Sequence, residues 1–224
     1  MSRKYELTDE IVKINSVILH RIKALTDFGE VNAGDLGGWV ESERNLSHDG
    51  NAWVYDNARV YGNAWVYGNA RVCGNARVCG NAWVDGNARV YGNARVYGNA
   101  QVDGNARVDG DAWVCGDARV YGNAWVDGNA RVYGNARVGG NAWVDGNARV
   151  GSNGHLLQVG PIGSRDGYTT FYRVKGNAIA VAYGCFCGSI DDFEARVREV
   201  HGDSKYGKEY QLAIELAKCH IDLS

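Results

Sequence analysis

Proline is nearly missing from this chain: Pro161 stands alone against 31 glycines in 224 residues. Such a ratio suits a backbone that turns sharply at regularly placed points. Glycine enrichment also accompanies disorder, but seven Trp and thirteen Tyr argue for ordered packing. An excess of one charge is lacking too, since the formal net charge is -2. Bulk electrostatics therefore direct the chain neither to nucleic acid nor to an anionic membrane. No run of about 18 apolar residues occurs, which excludes a membrane-spanning helix. The opening Met1-Ser2-Arg3-Lys4-Tyr5 lacks the basic, apolar and small-residue succession of a signal peptide. Three of the six cysteines (Cys73, Cys79, Cys115) fall in one variable slot of a repeat. Cys185 and Cys187, two apart, would point to opposite faces of a strand. These observations predict a reduced, cytoplasmic protein with no membrane partner.

What is present is a repeat. From Gly50 to Gly151 the chain reads as seventeen consecutive units of Gly-Asn-Ala-x-Val-y. Alanine holds its slot from Ala52 to Ala148 and valine holds its own from Val54 to Val150. Glycine is replaced once, by Asp56, and asparagine twice, by Asp111 and Asp117. A period of six excludes the helical and leucine-rich repeats, whose units run to about 20 residues or more. One long helix is excluded by β-branched valine and by glycine at every sixth position. In a short strand, alternation sends Ala and Val to one face and Asn, x and y to the other. The apolar face must be buried, and glycine supplies the corner. Three strands and three corners make a triangular coil of eighteen residues. Seventeen units then give between five and six coils, stacked at about 4.8 Å. Each slot becomes a column: valine on valine inside, and asparagine amides within hydrogen-bonding reach at the bends.

This pattern resembles the hexapeptide-repeat family, and the resemblance implies a left-handed parallel β-helix. A narrower resemblance lies in Ala24–Ala64, ALTDFGEVNAGDLGGWVESERNLSHDGNAWVYDNARVYGNA. It is similar to the entry segment of uncharacterised bacterial and prophage β-solenoid proteins, often labelled acyltransferases on repeat content. Gly160–Arg173, GPIGSRDGYTTFYR, resembles a tail found on phage-associated members.

The open ends of a solenoid need covering. Ile11–Ile14 and Val17–Ile22, joined by Asn15-Ser16, predict two strands about a tight turn. Leu36–Val40 leads into a degenerate first coil with Leu46 in the alanine slot. After Gly151, Thr169–Val174 and Ile179–Phe186 predict a β-hairpin. Ser189 is the expected N-cap of a helix with Phe193, Val197 and Val200 on one face, closed by Gly202. A second helix, about Lys205–Ile221, carries Tyr206, Tyr210, Ala213, Ala217 and Ile221 at helical spacing. The predicted class is an all-β solenoid with an N-terminal β cap (1–37), a hexapeptide β-helix (38–151) and a C-terminal ββαα domain (152–224).

Taking every third unit sorts the outward x slots into three columns. One reads Arg59, Arg77, Arg95, Trp113, Arg131 and Arg149. The second reads Trp53, Arg71, Arg89, Arg107, Trp125 and Trp143, and the third Trp65, Trp83, Gln101, Arg119 and Arg137. Arginine with interleaved tryptophan suits phosphates, nucleobases or an acidic partner. A solvated face is the plainer alternative, because ten Arg in the repeats are matched by eight Asp. In the y slots Asp109, Asp127 and Asp145 line up beneath Tyr91, without a calcium-repeat signature. Hexapeptide acyltransferases place a histidine beside a coenzyme A groove between trimer subunits, with a loop projecting from the helix. Residues 50–151 here contain neither histidine nor any insertion. His48 and His155 flank the repeats, and His20, His201 and His220 lie in the end segments. Threonine is absent from the repeats as well, which removes the flat threonine arrays of ice-binding β-helices. No Ser/His/Asp set, phosphate-cradling loop or zinc spacing appears. The function expected is therefore non-enzymatic, with no cofactor and no metal. It is a binding or scaffold protein of bacterial or prophage origin, whose arginine column meets an unknown protein or a phosphorylated small molecule. Nucleic acid stays open as a ligand, the resemblance implies a homotrimer, and a CoA-dependent acyltransferase is the alternative.

Overall fold

The computed structural model describes residues 3–224; Met1 and Ser2, which open the amino-terminal pattern above, lie outside the described residues. The repeats form seventeen two-residue strands, β4 (Trp53–Val54) through β20 (Arg149–Val150), wound into a parallel β-solenoid of three sheets. Each strand pairs in parallel with the one eighteen residues on, as in Arg59 opposite Arg77 and Val60 opposite Val78. Every repeat alanine and valine is buried, with at most 1% exposure. The coil backbone is satisfied by the next coil: Arg95 donates to the Ala112 carbonyl at 2.9 Å and Tyr97 to that of Val114 at 3.0 Å. The side-chain ladder expected at the bends is present. Along one corner Asn51, Asn69, Asn87, Asn105, Asn123 and Asn141 are linked amide to carbonyl at 3.0–3.1 Å. In the other two corners Asn99 donates to Asp117 at 2.8 Å and Asn93 to Asp111 at 3.1 Å. A carboxylate accepts but has no proton to pass on, so both of these ladders end there.

The N-terminal hairpin is part of the solenoid's own sheet. Strands β1 (Tyr5–Ile14) and β2 (Val17–Ala24) turn at Asn15, whose φ is +53°. β2 pairs with β3 (Leu36–Val40), and β3 places Trp39 opposite Arg59 and Val40 opposite Val60. One face of the prism thereby extends to nine strands. Two sequence expectations change here. Leu46 bridges Val66, so it fills the valine slot of its coil, not the alanine slot. The coil is two residues longer, because eight positions instead of six separate Leu46 from Val54. Trp53, an outward slot, is buried beneath the hairpin's own chain, with Phe28 and Tyr5 edge-on at 5.3 and 6.0 Å between centroids.

The C-terminal segment carries four antiparallel strands where the sequence predicted two. They are β21 (Leu156–Ile162), β22 (Gly167–Val174), β23 (Ala178–Tyr183) and β24 (Phe186–Ser189). β21 contains the lone proline beside a register shift between Val159 and Ile162. The run Ile179–Phe186 is broken by a turn at Gly184-Cys185, with φ +54° at Gly184. Helices α1 (Ile190–His201) and α2 (Lys205–His220) follow. Ser189 caps α1 as expected, accepting from the Asp192 amide at 3.1 Å, and Gly202 closes it. No helix among the described residues is long and apolar enough to cross a membrane.

Alternation along β22 and β23 explains how this sheet sits. Tyr172 and Ala182 join the alanine and valine core of the solenoid, while Phe171, Ile179 and Val181 join a second core with α1 and α2. Val174 bridges Ala148, and Thr170 Oγ1 accepts from the Trp143 amide at 3.1 Å. One face of the sheet thus closes the end of the prism and the other carries the helices. Two residues predicted for the helical core are not in it: Val200 is 61% exposed and Tyr206 39%.

Candidate functional site

The six residues of the arginine column lie on one face in the predicted order, each opposite the next across a parallel pair. Because β-strand spacing is about 4.8 Å, neighbouring guanidiniums emerge close together. The column is longer than the repeat pattern indicated. Trp39 continues it above Arg59, and Arg21, opposite Trp39 on β2, stacks over that indole at 5.1 Å. The twenty-residue first coil hides this register from a search at period eighteen.

Trp113 organises the lower half of the face. Arg95 stacks over its ring at 5.1 Å and Arg131 at 4.4 Å. Both arginines are exposed and Trp113 is half-buried. With a guanidinium over the ring from either neighbouring coil, Trp113 serves to hold the arginines and offers little surface for a stacked base. Arg95, Trp113, Arg131 and Arg149 line a groove of about 460 Å³, with Asn93, Asp111, Asn129 and Asn147 along the corner beside it. These corner residues come from the asparagine slot of the repeat, which is why a search of the variable slots passed over them. Arg149 donates to the carbonyls of Ala148 at 2.7 Å and Asn129 at 3.1 Å. Partial burial, and then the Arg131 charge, lower its pKa.

Counter-charges distinguish the faces. On the second face Arg71 pairs with Glu30 at 2.6 Å, which holds the Glu30 carboxyl below its ordinary range. Among the described residues, none of the six arginines on the first face, Arg21 included, lies within ion-pair distance of a carboxylate. Tryptophan also clusters elsewhere: Trp125 and Trp143 stack at 5.5 Å on the second face, and Trp65 and Trp83 are neighbours on the third.

Asp109, Asp127 and Asp145 share a column as expected, and Asp127 and Asp145 each accept from the amide of the following glycine. Among the described residues no three His, Cys, Asp or Glu side chains converge as metal ligands. His48 stacks on Tyr5 at 4.4 Å and its Nδ1 accepts from the Lys4 amide at 3.3 Å. The His155 Nδ1 accepts from the Gly151 amide at 3.0 Å; burial, and then Arg173, lower its pKa. Each histidine ties an end segment to the solenoid. The six cysteines are unpaired, with Cys185 in a turn and Cys187 in β24.

With this geometry in place, comparison with known proteins adds two findings. A family model described as YdcK Beta solenoid repeat matches residues 52–68, 70–86, 88–104, 112–128 and 130–146. The chain is also 39% identical over 62 residues to a protein of Escherichia coli (strain K12) called "Uncharacterized acetyltransferase YdcK". That stretch is 24% of this chain and 19% of the relative, so the likeness spans about a fifth of the relative's length. The repeat region is a β-solenoid of the kind that the YdcK repeat model describes, similar in part to a protein named as an acetyltransferase.

Proposed function

We propose that the protein is a non-enzymatic binding protein that holds a phosphorylated small molecule on its arginine column. Arg95, Arg131 and Arg149 would supply the phosphate contacts, and Arg59 and Arg77 would lengthen the strip. The observation that carries this reading is a run of arginines beside a groove, none of them within ion-pair distance of a carboxylate among the described residues. Two like charges about 4 Å apart repel by roughly 1 kcal/mol in water and more at lower dielectric. A bridging phosphate turns that repulsion into charge-assisted hydrogen bonds. Trp113 positions two of the three guanidiniums beforehand, which lowers the ordering cost of binding. The likeness of residues 160–173 to phage-associated tails suits an accessory protein that sequesters a host nucleotide signal or a host protein. A homotrimer, implied by the hexapeptide resemblance, would cover Trp65 and Trp83, now 41% and 45% exposed.

The test is native mass spectrometry of protein purified from its natural cells, followed by calorimetric titration with ATP and inorganic triphosphate. Binding should be lost in the double variant Arg77→Glu/Arg95→Glu; unchanged affinity would return the column to a solvated surface. A steep loss of affinity with salt is expected for phosphate contacts. The relative's name supports a second reading, a CoA-dependent acetyltransferase. Co-purifying CoA with measurable acetyl transfer would establish that reading in place of the first. Against it stand the uninterrupted coils and the lack of histidine between His48 and His155, because acyl transfer of this type needs a positioned base.

A further inference from the structure

A second site lies away from the solenoid. Between α1, α2 and the outer face of the C-terminal sheet is a cavity of about 260 Å³, mostly apolar and open on one side. An apolar cavity of about 150 Å³ already accommodates benzene, so this one has room for a ring with a short polar tail. Its walls are aromatic. Phe186 meets Phe193 with centroids 5.3 Å apart, and Tyr183 meets Tyr210 edge-on at 5.4 Å. Phe193 and Tyr210 are nearly perpendicular at 5.7 Å. An incoming ring would continue this tilted array, an arrangement a saturated chain gains less from.

Polar features sit around the cavity as well. Tyr210 is 1% exposed, with its hydroxyl turned onto the Gly163 backbone and Tyr183 beside it. Arg165 and Arg196 stand at the rim, exposed, without an ion pair or side-chain hydrogen bond among the described residues. Their neighbours behave differently: Arg198 and Lys218 both engage Glu194, and Lys205 engages Glu209. Val200, expected in the helical core, instead lines the mouth. Aromatic walls and two unpaired guanidiniums are the complement of an amphipathic anion.

We propose that this cavity binds a small aromatic carboxylate, its ring among Tyr183, Phe186 and Phe193 and its carboxylate held by Arg165 and Arg196. Arginine meets a carboxylate through two parallel N–H donors, which gives orientation as well as affinity.

The full chain is titrated calorimetrically with 3-phenylpropionate, its neutral amide, octanoate and phenyl phosphate. Saturable binding of 3-phenylpropionate is expected, with the amide weaker by about tenfold or more. Arg196→Gln and Arg165→Gln, both at exposed positions, should each weaken it about as much without shifting the thermal midpoint. Arg131→Gln, on the solenoid, should leave it unchanged. No saturation, an amide that binds as well as the acid, or an Arg196→Gln variant with full affinity would overturn the assignment. Octanoate binding more tightly would make the ligand aliphatic, and phenyl phosphate binding more tightly would make it a phosphate; either result also refutes it. The site shares no residue with the arginine column, so the two proposals stand or fall separately.

Discussion

The corner glycines allow conformational strain to be separated from contact between coils. Gly98 has φ +72°, and a Cβ added there would lie 3.0 Å from the Gly116 amide nitrogen and 3.2 Å from its carbonyl oxygen. Gly146 occupies the same slot at φ +62°, yet its added Cβ would meet nothing within 4 Å. Alanine in the left-handed region costs about 1–2 kcal/mol. Restricting the unfolded chain returns about 0.4–1 kcal/mol of that. Gly146→Ala should therefore destabilise by about 1 kcal/mol. Gly98→Ala carries the same penalty plus overpacking against the next coil, about 1–3 kcal/mol more. Its total is then roughly 2–4 kcal/mol. Asp56 already shows a side chain at such a corner, at φ +51°, with its carboxylate accepting from the Gly74 amide at 3.0 Å. Aspartate is one of the few residues that visit this region readily.

A solenoid opens locally, coil by coil, so a single global midpoint would blur the difference. Native-state hydrogen exchange resolves it at the Asn81 amide, which donates to Gly98, and at the Asn99 amide, which donates to Gly116. Protection there should fall by more than tenfold in Gly98→Ala, while Gly146→Ala changes only its own coil. Equal losses in the two variants would mean that stacked glycines do not set the coil spacing. No loss in either would refute the need for a left-handed corner.

Other consequences are as specific. Asn105 accepts from Asn87 and donates to Asn123, each at 3.0 Å. Asn105→Asp keeps the first bond and should cost about 1 kcal/mol, whereas Asn105→Leu loses both and should cost about 2 kcal/mol; the order of their urea midpoints checks this. Lys4 is buried, with its ammonium 2.9 Å from the Ala52 carbonyl, and burial lowers its pKa from 10.5 to about 8. Between those two values the unfolded chain binds more protons than the folded one, so stability should rise with pH from about 8 to 10.5. Comparison of wild type with Lys4→Met across that window isolates the effect, and parallel curves would contradict it. Trp113→Leu removes no phosphate-binding group but frees Arg95 and Arg131. It should weaken triphosphate binding about twofold to fivefold, the size of a surface cation–π contact.

The solenoid was legible because one physical rule is repeated without interruption. Alanine and valine at fixed phase give the buried face, glycine the corner and asparagine the ladder, and each column was readable by counting eighteens. Legibility failed where the count changed. Two extra residues after Leu46 shifted it into the valine slot and concealed that Trp39 and Arg21 prolong the arginine column. Burial of Trp53 depended on Phe28 and Tyr5, contacts that the repeat does not encode. Strand β21 was missed because Gly160-Pro161 interrupts its alternation, and β24 because Phe186 follows a turn inside an apolar run. Helix caps, by contrast, are local, and Ser189 and Gly202 were found where expected. The aromatic cavity had no signal in spacing: its residues come from β23, β24, α1, α2 and the turn after β21, and only the packing brings them together.

The regularity of the interior also limits where specificity can reside. Below the first, every coil has the same core and the same length, so these coils do not differ in shape. Differences are confined to the outward slots and to the two ends, where the chain leaves the repeat. Among the outward slots, charge alone does not single out a face, since arginine occurs on all three. What differs is the compensation. Glu30 reaches Arg71 on the second face, and the third carries only Arg119 and Arg137. The repeats put five arginines on the first face, and among the described residues tryptophan is the neighbour in the column that offsets them. Cation–π contact offers about 0.5–1 kcal/mol at such a site, comparable to the repulsion between two exposed guanidiniums in water. Trp113 therefore stabilises Arg95 and Arg131, but Arg77, between Arg59 and Arg95, has guanidiniums on both sides and no indole. An anion gains most where that compensation is missing. Arg77 should thus be the column position whose neutralisation by Arg77→Gln most raises the thermal stability of the ligand-free protein while lowering its affinity for triphosphate. Destabilisation on removing that charge would show that the column's arginines are held by their stems packing over the sheet, with no anion required.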